Sequence, residues 1–513
     1  MRKFNTSGPN IVEQHYTIER TDLIIKGLEL VKDERYFTIW APRQTGKSTY
    51  FRQLAEKLNS QDYRPVYFSV EGFNDFSMAD TFDTFCRELR NQQNIDWKIE
   101  TLKDFEKTIS DCNDLKMVII IDEIESLNPE IFGQFLHTVR NLYHTRTRHC
   151  LKSVILVGVS NILGVVSDNA SPFNVADNLA VPYFTDNEVF ELLGQHETET
   201  GQPIEQDVKQ KIFQITAGQP GLVNGFAKKL VEDYPDHNLL DYRDYLKIEH
   251  WYLNVAIDKN FANILNKAKI ERNLVERLLF TEEKIPFKID RENIKLLHIN
   301  GLIKEDENGF VTFWVPFYKK RLYDAFYPYT NGEKTSILRS FVVNELFDEN
   351  NKLKLGQLIE GYKEYAKRRG FNVFREKDEN GKYLSIKESA LIYSFETYIQ
   401  AFLQVIDGKS YREADTGLGK SDLIINVRSM EYLVESKIYY YESQFLKGKT
   451  QLAYYCQSLG LVNGIYLVFC PNNVKYPKSV IEQTETIENP FGSGKTVEIA
   501  TFLIEFDDTK WLA

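Results

Sequence analysis

Three groups of residues in this chain have the types and spacing for chemistry at phosphorus. The first is Ala41-Pro42-Arg43-Gln44-Thr45-Gly46-Lys47-Ser48-Thr49, which fits G-x-x-x-x-G-K-[ST] with Ala41 in place of the first glycine. In such a loop, backbone N–H groups at a helix N-terminus wrap phosphate oxygens, a lysine adds a point charge on the outer phosphates, and a hydroxyl ligates Mg²⁺. Lys47 and Ser48 stand at those positions. The second group, Asp122-Glu123, ends the apolar run Met117–Ile121. Asp122 would hold Mg²⁺ through water and Glu123 would polarise the attacking water, because phosphoryl transfer asks for positioning and charge. The third is Asp422 with Glu435-Ser436-Lys437. Glu435 and Lys437 are two apart on a strand and so share a face. A buried carboxylate and ammonium are costly there unless they hold a metal or each other. Two carboxylates suit Mg²⁺ or Mn²⁺, and a lysine beside them can orient a metal-bound water. A cross-strand ion pair on a solvated face is the other reading of the same spacing.

These residues need elements to position them. Short β-branched runs at Tyr36–Trp40, Val66–Val70, Met117–Ile121 and Val154–Val159 alternate with helical patterns, which describes parallel strands buried on both faces. Ser48–Leu58 carries Phe51, Leu54 and Leu58 on one helical face, directly after the phosphate loop. From Thr185 to about Lys259 the pattern is helical, opened by the capping box Thr185 to Glu188. Residues 274–326 predict a small winged-helix unit, with a helix at Asn293–Ile299 and Gly309 as the turn of a hairpin. Tyr327–Gly332 reads as a linker. Beyond it, helices at Lys354–Arg369 and Ser385–Ile406, strands at Leu423–Val427 and Tyr432–Ile438, a helix at Thr450–Leu459 and a strand at Ile465–Phe469 predict a separate α/β domain.

A length of 513 residues suits about three domains at ~100–200 residues each. The expected division is 1–265, 266–332 and 333–513. A net charge of −11 excludes a generally basic, histone-like binder but not a local basic groove. Cys86, Cys112, Cys150, Cys456 and Cys470 form no CxxC pair, so neither a disulfide framework nor a zinc site is indicated. Residues 1–15 contain no apolar h-region and no segment reaches the ~18 apolar residues of a membrane span, so a cytoplasmic protein without membrane partners is expected.

With Val66–Val70 between them, the first two motifs resemble those of ATPases related to the AAA+ and STAND families, over about Ile18–Val223. The resemblance implies ATP, or GTP, held through the loop with Mg²⁺. Leu156-Val157-Gly158-Val159-Ser160-Asn161 is similar to a sensor-1 strand, which would put Asn161 on the γ-phosphate or the lytic water. Ala217-Gly218-Gln219-Pro220-Gly221 is similar to the GxP motif of STAND lids, which would place Pro220 and its helix against the adenine. Tyr16–Asp22 is similar to the N-terminal hhGRE motif, with Glu19 where Gly is usual, and Arg140, Arg146 and Arg148 are candidate arginine fingers.

The third group, across about Leu391–Phe469, resembles the PD-(D/E)XK nuclease superfamily. That implies Asp422 and Glu435 as metal ligands with the Ser436 carbonyl, Lys437 as the water-positioning residue, and Glu396 as an outer acid with Glu388 and Glu413 as nearby competitors. It also implies Gln451 and Tyr455 as a QxxxY helix motif. Lys363, Lys367, Arg368, Arg369, Lys447 and Lys449 offer positive charge, and Tyr439-Tyr440-Tyr441 could stack unpaired bases. The whole is an α/β chain: a parallel-sheet P-loop ATPase with a helical lid, a winged-helix-like connector and a PD-(D/E)XK-like domain. Its expected function is an ATP-driven switch controlling a nuclease that acts on nucleic acid, DNA before RNA. A nucleotide-dependent homo-oligomer is expected, and analogy of architecture points to bacterial defence. The alternative is an ATP-dependent nucleic-acid-binding or signalling module whose C-terminal domain does not cleave.

Overall fold

The computed structural model describes residues 1–158, 176–327, 346–349, 351–378, 380–381, 383–415, 420–428, 430–472, 474–476, 480–488 and 496–506. Asn161, Gly419 and the side chains of Glu413 and Ser421 lie outside the described residues. The chain divides into two compact units, Met1–Ile270 with Pro286–Lys320, and Glu271–Ile285 with Arg321–Ala513. The connector expected at 266–332 is divided between them.

The first unit is built on five parallel strands: β1 (Phe37–Trp40), β2 (Arg64–Ser69), β3 (Met117–Asp122), β4 (Leu151–Gly158) and β5 (Asp177–Asn178), in the order β2-β3-β4-β1-β5. Every residue of β3 is buried. Ile119 and Ile121 point into a core with Phe82, Phe85, Phe105 and Leu136, whereas Val118 and Ile120 point into the opposite one with Phe51, Leu54 and Ile24. That is why β3 reads as an unbroken apolar run rather than an alternating one. The four strands expected from sequence are present; the two-residue β5 is too short to leave a pattern. β1 pairs with β4 and not with β3, so the carboxyl ends of β1 and β3 flank that of β4. An open parallel sheet binds ligands at such a carboxyl edge.

The helix Lys47–Ser60 starts at Gly46, whose φ of 85° no β-carbon residue adopts readily. Four helices, Asp186–Thr200, Gln206–Thr216, Pro220–Asp233 and Tyr242–Asn254, occupy the stretch expected to be the lid. The Thr185–Glu188 capping box opens the first of them as expected. The helix Glu292–Ile299 leads into the antiparallel hairpin of β6 (Ile303–Glu305) and β7 (Val311–Phe313).

The second unit holds a six-stranded mixed sheet. Helix Glu388–Leu403 precedes β8 (Lys409–Asp415), β9 (Lys420–Val427) and β10 (Met430–Ile438), which run antiparallel in succession. Helix Glu442–Ser458 then returns the chain to β11 (Asn463–Pro471), parallel to β10. β12 (Thr484–Glu488) and β13 (Thr496–Phe506) complete the order β12-β13-β11-β10-β9-β8. β8 escapes a hydrophobic scan because it is an edge strand rich in charge, as edges tend to be. The helix expected at 450 begins at Glu442, because its first turns are polar and only Phe445, Gly448 and Lys449 are buried there.

The lid's entry turn is the tightest constraint in the first unit. Ala217 and Gly218 have φ of 50° and 73°, and the Phe184 N–H donates to the Gly218 carbonyl at 2.9 Å. A β-carbon on Gly218 would run into the Phe184 carbonyl oxygen. Gly218→Ala is therefore expected to destabilise the protein by at least about 2 kcal/mol, read as a lowered urea midpoint. A midpoint equal to the parent's would show that the turn does not constrain the lid.

Candidate nucleotide and metal sites

The phosphate loop follows β1, and both Gln44 (φ 59°) and Gly46 (φ 85°) are left-handed, so the chain coils tightly before the helix. This turns the loop's N–H groups inward at a helix N-terminus, where an anion is favoured. Lys47 Nζ donates to the Ala41 carbonyl at 2.7 Å and the Pro42 carbonyl at 2.9 Å. Withdrawal from water pulls its ammonium down to about 8, against the opposing pull of Asp122, Glu125 and Glu123. Thr45, buried, donates to the Pro42 carbonyl at 3.1 Å. Arg43 and Gln44 are exposed, and Thr49 accepts from the Asn10 N–H at 3.0 Å.

Asp122 ends β3, only 6% exposed. Its Oδ2 accepts from Ser48 Oγ at 3.2 Å and Tyr67 Oη at 2.8 Å, and its Oδ1 accepts from the Glu123 N–H at 2.9 Å. Ser48 and Asp122, the pair expected to share a Mg²⁺ ion, are thus within hydrogen-bond distance, and their oxygens are the hard donors that ion takes. Glu123 sits at φ 54°, a strained position for a residue with a β-carbon. Desolvation, with Glu71 and Asp122 nearby, raises its carboxyl above the usual range. Tyr67 left no motif in the sequence; only the register Ser69↔Asp122 brings it to the acid.

The start of helix Pro220–Asp233 packs on the loop. Gly221 N–H donates to the Gln44 carbonyl at 3.1 Å and Gln219 Nε2 to the Arg43 carbonyl at 3.3 Å. A β-carbon on Gly221 would lie 2.6 Å from Gln44 Oε1, so the approach needs glycine. Arg20, from the N-terminal motif, bonds Glu188 Oε1 at 2.9 Å and the Pro182 carbonyl at 2.7 Å, fastening that segment to the lid's start. Loop, lid and N-terminal segment enclose a cleft of about 460 Å³, with Pro220 in its wall. Of the candidate fingers, Arg146 lies over the Tyr143 ring at 4.3 Å and bonds the Tyr143 carbonyl, while Arg148 is exposed.

In the second unit, Val434 pairs with Leu423, which sets Asp422 beside the Glu435–Lys437 stretch. Asp422 Oδ2 accepts from the Ser436 N–H at 2.6 Å and Oγ at 2.8 Å. Glu435 is 2% exposed, its Oε2 has no hydrogen-bond partner, and its Oε1 lies 3.5 Å from Lys437 Nζ. Desolvation raises the carboxyls of both Asp422 and Glu435, opposed by Lys437. Against its own desolvation, the surrounding Asp422, Glu388 and Glu435 hold Lys437 protonated. A buried oxygen without a donor, next to a second desolvated acid, is an arrangement a hard cation would relieve. Among the described residues no group of three or more His, Cys, Asp or Glu is disposed to hold a metal, so any ion here would rest on two carboxylates and backbone oxygen.

Glu388, one of the competitors named above, is the acid of this helix that reaches Lys437. Its Oε1 is 2.9 Å from Lys437 Nζ and its Oε2 accepts from the Ile438 N–H at 2.9 Å. Glu396, two turns further along the helix, is bound instead by Arg412 at 2.5 Å and Ser410 at 2.6 Å. Arg412 also meets Asp324 at 3.2 Å and lies 4.1 Å from the centre of the Tyr393 ring. Gln451 Nε2 donates to Tyr455 Oη at 2.6 Å along the helix Glu442–Ser458. Lys449 is buried against Glu485 at 2.8 Å and Lys363 is paired with Glu360 and Glu482, so neither is a free cation for a substrate. Lys367, Arg368 and Lys447 are exposed, as are Tyr440 and Tyr441, whereas Tyr439 is buried.

A family model described as an AAA-like domain matches residues 7–327. No curated protein matches the chain. Among solved structures, a Walker-type ATPase of Pyrococcus abyssi is 14% identical, with 62% of this chain and 99% of that one covered at a TM-score of 0.47. The Holliday junction branch migration motor RuvB of Thermotoga maritima is 14% identical, covering 61% and 96% at 0.36. Cdc6p of Pyrobaculum aerophilum is 15% identical, covering 61% and 95% at 0.34.

The buried pairing of Arg412 with Glu396 makes a stability prediction. Arg412→Met would leave Glu396, 3% exposed, without its cation, and is expected to cost about 3–5 kcal/mol, seen as a lowered melting temperature. A loss below about 1 kcal/mol would mean that Glu396 has no need of Arg412 and remains available as an outer acid.

Proposed function

The chain belongs to the AAA-like domain family, and on that premise we propose that its first unit binds and hydrolyses ATP with Mg²⁺ and so switches a metal-dependent nuclease in the second. The observation that carries the ATPase reading is the buried Asp122, shared by Ser48 and Tyr67 at the mouth of the phosphate loop. In this reading Lys47 neutralises the outer phosphates, Ser48 and Asp122 serve the Mg²⁺ ion, and Glu123 polarises the attacking water. Asn161 contacts the γ-phosphate and Pro220 the adenine, as the resemblance implies. Helix Glu292–Ile299 with the β6–β7 hairpin supports the winged-helix-like connector, and the division at 265/266 and 332/333 belongs to the same proposal.

The nuclease reading rests on Glu435, whose desolvated, unpartnered oxygen faces a cost that a divalent cation would offset. Helix Glu388–Leu403, hairpin β9–β10 and helix Glu442–Ser458 follow one another in the order the superfamily resemblance requires. Asp422, Glu435 and the Ser436 carbonyl would hold Mg²⁺ or Mn²⁺, which supplies a bound water acidic enough to attack phosphorus. Lys437 orients that water, Glu388 holds Lys437, and Gln451 with Tyr455 lines the approach. The substrate is nucleic acid, DNA before RNA, met by Lys367, Arg368 and Lys447. Assembly into a nucleotide-dependent homo-oligomer, a cytoplasmic setting and a role in bacterial defence complete the proposal by analogy of architecture.

Two sets of variants test it. Lys47→Ala is expected to lose ATP binding, and Glu123→Gln to bind ATP while hydrolysis falls at least about a hundred-fold. Equal turnover by Glu123→Gln and the parent would remove Glu123 from the mechanism. Supercoiled DNA, single-stranded DNA and RNA incubated with Mg²⁺ or Mn²⁺ should be cut by the parent in at least one nucleotide state and not by Lys437→Ala. Absence of cleavage with ATP, with ADP and without nucleotide, or cleavage unaffected by Lys437→Ala, would sink the nuclease reading.

A further inference from the structure

Among the described residues, the wall of the nucleotide cleft contains a buried amide oxygen, that of Asn224, without a hydrogen-bond donor. Asn224 stands one turn into the helix Pro220–Asp233, 5% exposed, and lines the cleft shared by the phosphate loop, Ile18 and Phe184. Its Nδ2 donates to the Pro220 carbonyl at 2.9 Å, which fixes the amide's orientation, because only the nitrogen can donate to a carbonyl. Its Oδ1 has no hydrogen-bond partner. A buried acceptor without a donor is destabilising, and such atoms are rare enough in folded proteins that each asks for a reason.

The chemistry of the atom restricts what can meet it. An amide oxygen only accepts, so phosphate oxygens repel it and it makes no hydrogen bond to the triphosphate. Of the rest of a nucleotide, a sugar hydroxyl or a base N–H can donate to it. The lid's first turn already sits on the loop through Gly221 and Gln44. Asn224 lies about 6 Å beyond Pro220 along the helix, at 1.5 Å per residue, with apolar Ile18 and Phe184 among the residues of the same wall. Apolar walls with one fixed polar group are how a pocket reads a flat base. Adenine's pairing edge carries a single donor group, the 6-amino, which one acceptor satisfies. Guanine carries two adjacent donors and an acceptor at position 6, so one acceptor would leave a donor unpaired. We propose that Asn224 Oδ1 accepts the 6-amino group of adenine and is the residue that selects ATP over GTP. This rests on the nucleotide reading above and adds the base-selecting contact to it.

Calorimetric titration of the full chain with Mg²⁺ and defined triphosphates tests the assignment. The probes are ATP, purine riboside triphosphate (ATP without the 6-amino group), GTP, 2′-deoxyATP and inorganic tripolyphosphate. The parent is expected to bind ATP about ten-fold or more tightly than purine riboside triphosphate, the value of one buried hydrogen bond. Asn224→Leu should shrink that ratio to within about two-fold, while tripolyphosphate affinity and the ATP to 2′-deoxyATP ratio stay as in the parent. If leucine is not accommodated, seen as lost tripolyphosphate binding, Asn224→Ala makes the same comparison. A 6-amino preference that survives in the variant, or is absent from the parent, overturns the assignment. So does a collapse of the 2′-deoxyATP ratio, which would put the acceptor on the sugar. Failure of the parent to bind any triphosphate, or binding undiminished by Lys47→Ala, sinks the nucleotide reading and this assignment with it. ATP binding without amino-group preference sinks this assignment alone.

Discussion

The carboxylate of Asp122 is the interaction on which the nucleotide site depends. It gathers donors from three places that are distant in sequence: Tyr67 on β2, Ser48 on the helix after β1, and the backbone of Glu123. A carboxylate 6% exposed is tolerated only with such a set of donors. Strand order makes the gathering possible. β1 and β3 are not neighbours, so the distance from Ser48 to Asp122 is set by β4 between them and by the register of all three strands. A slip of one residue in β3 would turn Ile119 and Ile121 towards the opposite core and carry Asp122 away from the loop. Core packing and site geometry are therefore one constraint.

The second unit solves the opposite problem. There the acid in β10 is as deeply buried, but one of its oxygens is left without a donor and its neighbours are a second acid and a lysine. Lys437 is held by Glu388 at the start of a helix and by the Glu435 beside it. An ammonium between two carboxylates stays charged and is fixed in direction, which suits orienting a water better than accepting a proton from it. The Glu435 carboxylate is desolvated and short of a donor, a cost that a divalent ion would offset.

How much of this was legible follows from how local each signal is. The phosphate loop, the β3 acids, the Thr185 cap and the Glu435–Lys437 pair are written in contiguous residues, and periodicity carried them. Tyr67, Glu388 and Asn224 are not, because each acquires its role from a partner far along the chain or from a lack of one. Glu396 and Glu388 lie on one helix, eight residues apart and so two turns from each other; Glu388 meets Lys437 while Glu396 meets Arg412, a residue on an edge strand that the apolar pattern does not reveal. Lys449 reads as a surface cation by type but is buried against Glu485, a pairing that only the sheet's far edge creates. Pair partners across elements are what a single sequence withholds.

The position of the lid also bears on what a switch in this chain can use. A ligand shifts an equilibrium only by contacts that differ between the two states. The backbone of the phosphate loop is bonded to the lid at two points, through Gly221 on Gln44 and Gln219 on Arg43. Gly301 also lies close to it, where a β-carbon would come within 2.9 Å of Pro42 Cβ. The loop that would hold phosphate thus carries the lid on one flank and the segment leading into the β6–β7 hairpin on another. Two hydrogen bonds of about 1 kcal/mol each are in the range of ordinary coupling free energies between sites. There is no room for a β-carbon on Gly301 beside Pro42, so the two segments lie close together.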